Sequence, residues 1–246
     1  KNALFIVEKN NNHSSMINIG FCMLNGEHFK ITEEGKNRKF KYENNRLYIE
    51  EIVNDSDVLV VMPTYNRSNN IKNTIQLLDN QTYKKSTLLI IDDGSTPEHK
   101  VEFNLLKDKY RFNNKIIFLE NNVNKHIAYT LNKGIEYFLN NEQYKYFTWI
   151  SDDNHYEQTY INDLKTNNNY FKYSSFTFIN LITNKIHIVN KKYDNMTDLL
   201  NNFKGCASFM WTKDAIKEIG FYQENINGCE DYEYLLRTFK LNEKLC

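Results

Sequence analysis

Two runs in which every residue is apolar constrain this chain most. Val58-Leu59-Val60-Val61-Met62 ends at Pro63-Thr64-Tyr65-Asn66-Arg67, and Leu88-Leu89-Ile90-Ile91 ends at Asp92-Asp93-Gly94-Ser95. A strand with one wet face alternates in polarity. A strand that is apolar throughout is covered on both faces, which is the habit of parallel sheets. Parallel neighbours need a crossover, and the segment between the runs supplies a helix, with Ile71, Ile75 and Leu78 on one face. Both strands then point the same way. Their polar ends share one carboxyl edge, where open α/β sheets bind ligands.

From residue 58 strand and helix alternate. Ser95 or Thr96 caps a helix that has Pro97 in its first turn and runs to about residue 110. A strand at 116–119 follows, then a helix from 126 to about 140 carrying Ile127, Leu131, Ile135 and Phe138 on one face. A strand at 146–150 ends in Ser151-Asp152-Asp153-Asn154. The regular alternation then stops. A hairpin is expected around Thr183-Asn184, from strands at 176–181 and 185–189, then a short helix at 196–202. A strand at 207–211, a capped helix at 212–219 and a final helix at 229–238 complete the chain. The expectation is an α/β fold, a Rossmann-like nucleotide-binding half followed by a mixed half. Residues 1–54 read differently, as short strands at 3–7, 17–24, 28–32, 39–42 and 46–52 separated by turn formers. Asn25-Gly26 there is a type I′ hairpin signal. Two domains are therefore expected, a small β-rich N-terminal module over 1–54 and the α/β domain over 55–246.

The 31 basic residues balance 31 acidic ones, so the chain carries no electrostatic footprint for nucleic acid. No apolar run approaches the ~18 residues of a transmembrane helix. The chain opens at Lys1-Asn2-Ala3-Leu4, without Met or signal peptide. Cys22, Cys206, Cys229 and Cys246 lack metal-ligand spacing and read as reduced, mostly buried thiols of a cytoplasmic protein. Asn66-Arg67-Ser68 is a glycosylation acceptor triplet inside the expected site, which weighs against passage through a secretory lumen. Walker, Gly-x-Gly-x-x-Gly and Gly-x-Ser-x-Gly patterns are absent, which removes support for NTPases, dinucleotide oxidoreductases and α/β-hydrolases.

Four polar constellations remain. Pro63 to Arg67 with Asp93 combines a ring that can stack on a base with a carboxylate that can accept from a base N–H; a plain helix cap is the bland alternative. Asp152 and Asp153, with no Lys or Arg beside them in sequence, repel each other unless a cation sits near. Such oxygen ligands suit Mg2+ or Mn2+ shared with substrate phosphates. Lys125 and His126 stand at a helix N-terminus, whose free N–H groups favour phosphate. Glu230 and Asp231 open the last helix, where the helix dipole alone would favour acids.

The stretches VMPTYNR, IIDDGS, WISDDNHY and GCEDYEYLLR resemble the family 2 glycosyltransferases of the GT-A fold, over about 57–237. The resemblance implies inverting transfer from a nucleotide-diphosphate donor, a UDP-sugar, to a hydroxyl of a glycan, lipid or protein acceptor. It implies that Tyr65 and Asp93 hold the uracil, that Asp152 contacts the ribose, and that Asp153 binds Mn2+ or Mg2+ at the diphosphate. It also implies that Glu230 binds an acceptor hydroxyl and that Asp231 is the catalytic base. Pro63, Asn66, Arg67 and Lys125 complete the expected substrate site. Three features depart from the family pattern. Ser151 stands where many members carry the first Asp of a DxD, Lys125 replaces a Gly, and the aromatic-basic motif after the last helix is missing. On the last two rests an alternative, a catalytically inactive GT-A-like module that binds a nucleotide-sugar and positions a partner. A nucleotidyltransferase would need a Gly-rich basic loop after the first strand, and the sequence has none.

Overall fold

The computed structural model describes residues 55–110, 113, 115–165, 170–180, 182–191, 193–205, 207–226 and 228–245, and five strands in the first fifty residues. The chain divides into two compact units, 1–54 with 109–114, and 55–108 with 115–246. In the first, β1 (Val7–Lys9), β2 (Phe21–Leu24) and β3 (Glu27–Ile31) form an antiparallel sheet in the order β1-β3-β2. A separate hairpin joins β4 (Lys39–Glu43) and β5 (Arg46–Glu50). Leu24 lies opposite Glu27 in β2–β3; the expected Asn25-Gly26 turn lies outside the described residues. Residues 3–6, 17–20, 32 and 51–52 of the expected strands lie outside the described residues.

The second unit runs β6 (Val58–Thr64), α1 (Ser68–Asp79), β7 (Ser86–Asp92), α2 (Pro97–Tyr110), β8 (Ile116–Glu120), α3 (His126–Leu139) and β9 (Tyr146–Trp149). It continues through α4 (Tyr160–Leu164), β10 (Phe171–Tyr173), β11 (Phe176–Asn180), β12 (Lys185–Val189) and α5 (Met196–Asn202). It closes with β13 (Phe209–Thr212), α6 (Lys213–Ile219) and α7 (Glu230–Leu245). Six strands make one sheet in the order β10-β13-β9-β6-β7-β8. Strand β6 pairs in parallel with β7 and β9, and β7 with β8. Strand β13 runs antiparallel to β9 and to β10, so the sheet is mixed.

Why the chain folds this way follows from burial. Every side chain from Val58 to Met62 is fully buried, and Leu88 to Ile91 nearly so. Burying each such side chain contributes roughly 1.5–3 kcal/mol, so exposing either run would forfeit most of the fold's driving force. Helix α3 covers one face with Ala128, Leu131, Ile135 and Phe138. The same cluster takes in Phe209, Trp211 and Tyr234 from β13 and α7. Thr212 caps α6 by accepting from the Ala215 N–H at 3.3 Å, as its position predicts. Helices and strands too short for a period to show, α4 and β10, are the two elements that the sequence pattern does not reveal. Cys229 is exposed, against the expectation of buried thiols, because the chain there is the rim of a helix start. Among the described residues no helix is long and apolar enough to cross a membrane.

Gly134 sets how closely α3 lies on β6. A Cβ at that position would stand 2.8 Å from Cγ1 of Val61, a stiff side chain in the sealed core. Gly134→Val should therefore lower stability by about 1–3 kcal/mol through overpacking, read as a lower urea midpoint at constant m-value. An unchanged midpoint would mean that α3 shifts freely on the sheet.

Candidate active site

Parallel pairing fixes where the loops emerge. Thr64 lies opposite Asp92, and Val61 opposite Trp149, so the exits of β6, β7 and β9 meet at one edge. A crevice of about 300 Å³ opens there, lined by Pro63, Tyr65, Arg67, Asp93, Asp152 and Trp149 among others. Five of the residues expected from sequence thus come together. Asn66 does not line it. With φ 54°, it donates its N–H to Ser95 Oγ at 2.8 Å and accepts from the Thr96 N–H at 2.8 Å. It stitches the two strand exits to each other. Gly94 (φ 71°) belongs to the same stitching, because a Cβ there would lie 2.3 Å from the Val123 carbonyl carbon.

The acidic pair after β9 has a cation, although none stands beside it in sequence. Arg67 Nη1 donates to Asp152 Oδ1 at 3.1 Å and to Asp153 Oδ2 at 2.5 Å. Thr64 Oγ1 donates to the other oxygen of Asp152 at 2.8 Å, and the Ser151 hydroxyl donates to Asp153 Oδ1. Asp152 is buried and Asp153 half-exposed. The Ser151 hydroxyl, then Arg67, hold the Asp153 carboxyl below its ordinary range, against partial burial. The carboxylates in turn raise the Arg67 guanidinium.

Asp93 is buried, and its Oδ1 accepts from Asn121 Nδ2 at 2.8 Å and from the Lys125 N–H at 3.0 Å. Asn121 also donates to Thr130 Oγ1 at 3.1 Å and accepts from Lys133 Nζ at 2.9 Å. Lys125 therefore reaches Asp93 through its backbone, while its ammonium lies 6.0 Å from the centre of the Tyr129 ring. Asn121 is the hub. Its sequence signal is a polar residue directly after a strand, and because Asn121 is itself buried it must satisfy its own hydrogen bonds.

The first turn of α7 holds the second acidic pair. Asp231 Oδ1 and Glu230 Oε2 are sealed from solvent and have no hydrogen-bond partner among the described residues. Burial first, and then the Glu230 charge, push the Asp231 carboxyl up to about 7, although Lys191 pulls the other way. Tyr222 connects this pair to the crevice. Burial, then the Asp231 charge, raise its hydroxyl well above the ordinary phenol value. The indole N–H of Trp149, which lines the crevice, lies near that hydroxyl without meeting hydrogen-bond geometry. Trp149 and Tyr222 were not expected as site residues: an aromatic on a strand, as Trp149 is, reads first as core, and Tyr222 lies in the loop after α6.

A sequence profile described as glycosyl transferase family 2 matches residues 59–210, more than half of the chain. The chain belongs to glycosyl transferase family 2. An uncharacterized glycosyltransferase of Rickettsia conorii is 25% identical over 201 residues, covering 75% of this chain and 31% of that protein. One of Haemophilus influenzae is 28% identical over 189 residues, covering 74% of this chain and 72% of that protein. This family 2 chain thus spans less than a third of the Rickettsia conorii relative. Among solved structures, the mannosyltransferase PcManGT of Pyrobaculum calidifontis, in complex with GDP-Man and Mn2+, aligns with a TM-score of 0.51 at 12% identity. That alignment covers 72% of this chain and 50% of the mannosyltransferase. S. aureus TarS 1–349 in complex with UDP-GlcNAc aligns with a TM-score of 0.51 at 14% identity, over 74% of this chain and 53% of that one. At such identities the likeness is one of fold, and the fold is GT-A.

Family 2 chains of this fold raise the question of a divalent cation. The Ser151 hydroxyl and the Asp153 carboxylate offer hard oxygen donors at one point, joined by their mutual hydrogen bond. Magnesium-type sites take about one or two carboxylates and complete themselves with phosphate and water. Among the described residues no three His, Cys, Asp or Glu side chains gather as a ready metal site. Arg67 occupies both carboxylates, so an ion held by Asp153 and Ser151 would need Arg67 to turn aside.

Asn121→Ala should unfold at lower denaturant, by about 1–3 kcal/mol, because buried partners lose their bonds. Guanidinium titration checks this. Full stability in the variant would show that Asp93 is held by the Lys125 backbone alone.

Proposed function

We propose that this chain is the catalytic GT-A domain of an inverting glycosyltransferase that moves a sugar from a nucleotide-diphosphate donor, a UDP-sugar, to an acceptor hydroxyl. One observation carries the reading. Trp149, a wall of the crevice, stands beside Tyr222, and Tyr222 beside the Glu230–Asp231 pair; Trp149 Nε1, Tyr222 Oη, Glu230 Oε2 and Asp231 Oδ1 are all buried without a hydrogen-bond partner among the described residues. Each such group costs about 1–3 kcal/mol, a large penalty for scaffolding alone. A polyhydroxyl acceptor admitted to this end would offer them donors and acceptors. The fold supports the donor class, since neighbours that share it are complexes with UDP-GlcNAc and with GDP-Man and Mn2+.

The roles are those that the family resemblance implies. Tyr65, exposed at the rim, offers a ring face to the base, and Asp93 offers its Oδ2 to a base N–H because Oδ1 is already taken. Asp152 faces the ribose, and Asp153 with Ser151 holds Mn2+ or Mg2+. When bound, that ion supplies positive charge where the diphosphate departs. Arg67, released from the carboxylates, adds its charge to the same diphosphate. Glu230 orients the acceptor hydroxyl, and Asp231 takes its proton as the oxygen attacks the anomeric carbon from the face opposite the diphosphate. Attack from that face inverts the sugar.

Base function sets a sign for pH. Asp231 holds its proton below about 7 and becomes a base above it, so kcat/KM should rise as pH increases through about 7. Asp231→Asn should lose ~10²-fold or more in turnover and lose this limb of the profile. Its folded pKa lies above the unfolded value of about 3.9. Stability from this group is therefore complete at low pH and lost as pH rises through about 7, so the variant should melt higher than the parent at alkaline pH. Equal turnover in the variant removes the base assignment.

The donor is tested by incubating the chain with a panel of UDP- and GDP-sugars and Mn2+ and measuring free nucleotide diphosphate. Asp153→Ala should abolish metal-dependent donor binding in a thermal-shift assay. A second reading, an inactive module that positions a partner, is favoured by the Arg67 clamp, whose single positive charge offsets part of the charge on the two carboxylates. It predicts donor binding that is indifferent to Mn2+, with no release of nucleotide.

A further inference from the structure

Among the described residues, strands β11 and β12 pair only with each other. Residues directly opposite in an antiparallel pair share a face, so Ile179 with Ile186, and Thr177 with Ile188, make one face. Phe178 with His187, and Asn180 with Lys185, make the other, on which Phe178 is the exposed apolar residue. Both faces are bare: Phe178 is 54% exposed, Ile179 53%, Ile186 65% and Ile188 71%, and Ile182 at the turn is 95% exposed. A lone two-stranded hairpin is marginally stable in water, and this one is anchored only at its root. There the buried Lys191 donates its N–H to Ser175 Oγ at 3.1 Å and its ammonium to Ser208 Oγ at 2.8 Å. That ammonium also lies 4.4 Å from the Phe209 ring centre and 5.3 Å from that of Phe176.

Apolar residues on both faces and at the tip narrow what can cover them. A second copy or a flat protein surface covers one face and leaves the other wet. A bilayer interface surrounds all sides. Charge points the same way. Between Leu164 and Tyr193 the chain carries Lys165, Lys172, Lys185, Lys191 and Lys192 and no acidic residue, although the whole chain is neutral. Lys165 is engaged by Asp57, Lys191 is buried and the Lys172 ammonium donates to the Asp163 carbonyl, which leaves Lys185 exposed on the hairpin itself. Unpaired outer edges bar both strands from the hydrocarbon interior, so the depth is that of the headgroups.

We propose that the β11–β12 hairpin is a finger that docks this chain on an anionic membrane surface. Ile179, Ile182 and Ile186 enter the headgroup layer and Lys185 meets lipid phosphates. This inference stands on the hairpin alone and goes beyond the transferase reading; neither depends on the other. Sedimentation of the full chain with vesicles of phosphatidylcholine, with or without phosphatidylglycerol, tests it. The chain should pellet with the anionic vesicles and be released by salt. Ile182→Ser with Ile186→Ser should cut the bound fraction about tenfold through lost apolar burial, and Lys185→Gln about fivefold, the weight of one lysine near an anionic surface. These side chains are exposed, so the melting temperature should not move. In Ile182→Trp the indole emission should shift to the blue on adding anionic vesicles. Absence of pelleting with both vesicle types overturns the proposal, as does equal pelleting of parent and double-Ser variant. So does a dimer that the double-Ser variant converts to monomer without any vesicle binding, which would assign the face to a second copy.

Discussion

Strand β6 is gripped on both edges by strands running its own way and on both faces by apolar side chains, and the rest of the site depends on that. A strand so enclosed has one register, because a slip by one residue would misplace every side chain of its run. The ladder continues past the strand ends: the Asp93 N–H donates to Thr64 O at 2.8 Å, and the Ile150 N–H to Val61 O at 2.9 Å. Thr64 then reaches Asp152, a residue 88 positions away, at 2.8 Å. The convergence of distant polar residues is thus a product of backbone pairing. The loops need only short, stiff exits, which Asn66 and Gly94 supply.

Two acidic pairs sit in this frame and are treated in opposite ways. Asp152 and Asp153 are given donors, from Thr64, Ser151 and Arg67, so Asp153 is held charged. Asp231 is given burial and an acidic neighbour, so it is held near neutrality in its proton affinity. Environments of these two kinds push the proton affinities of like groups apart. Sequence alone presents both as Asp beside another acid. The difference lies entirely in which groups the fold brings near.

That difference also marks how much could be read beforehand. The apolar runs of β6 and β7, the amphipathic face of α3 and the hairpin of β11 and β12 are local patterns with a clear period or turn. They were legible. Arg67 on Asp152 and Asp153 was not, because it crosses a separation of 86 residues that no local pattern encodes. Lys125 was legible as a position but not as an atom, since its backbone N–H makes the contact and any residue but proline would serve. Trp149 was read as core, and it is buried, but the residue also forms a wall of the crevice. A strand end belongs to the core and to the ligand edge at once, and residue type does not separate the two.

Lys191 shows how far this coupling extends. Its aliphatic stem and ammonium are buried among Ser208, Phe209 and Phe176, where a cation survives only with donors satisfied and ring faces beneath it. Its charge is also what opposes burial and Glu230 in setting the proton affinity of Asp231. Both duties need one ammonium fixed in one place. A neutral side chain at 191 would loosen the root of the hairpin and leave Asp231 to burial and Glu230 alone, which drives its carboxyl further from the charged form. The element that anchors the exposed finger therefore also tunes the buried acid.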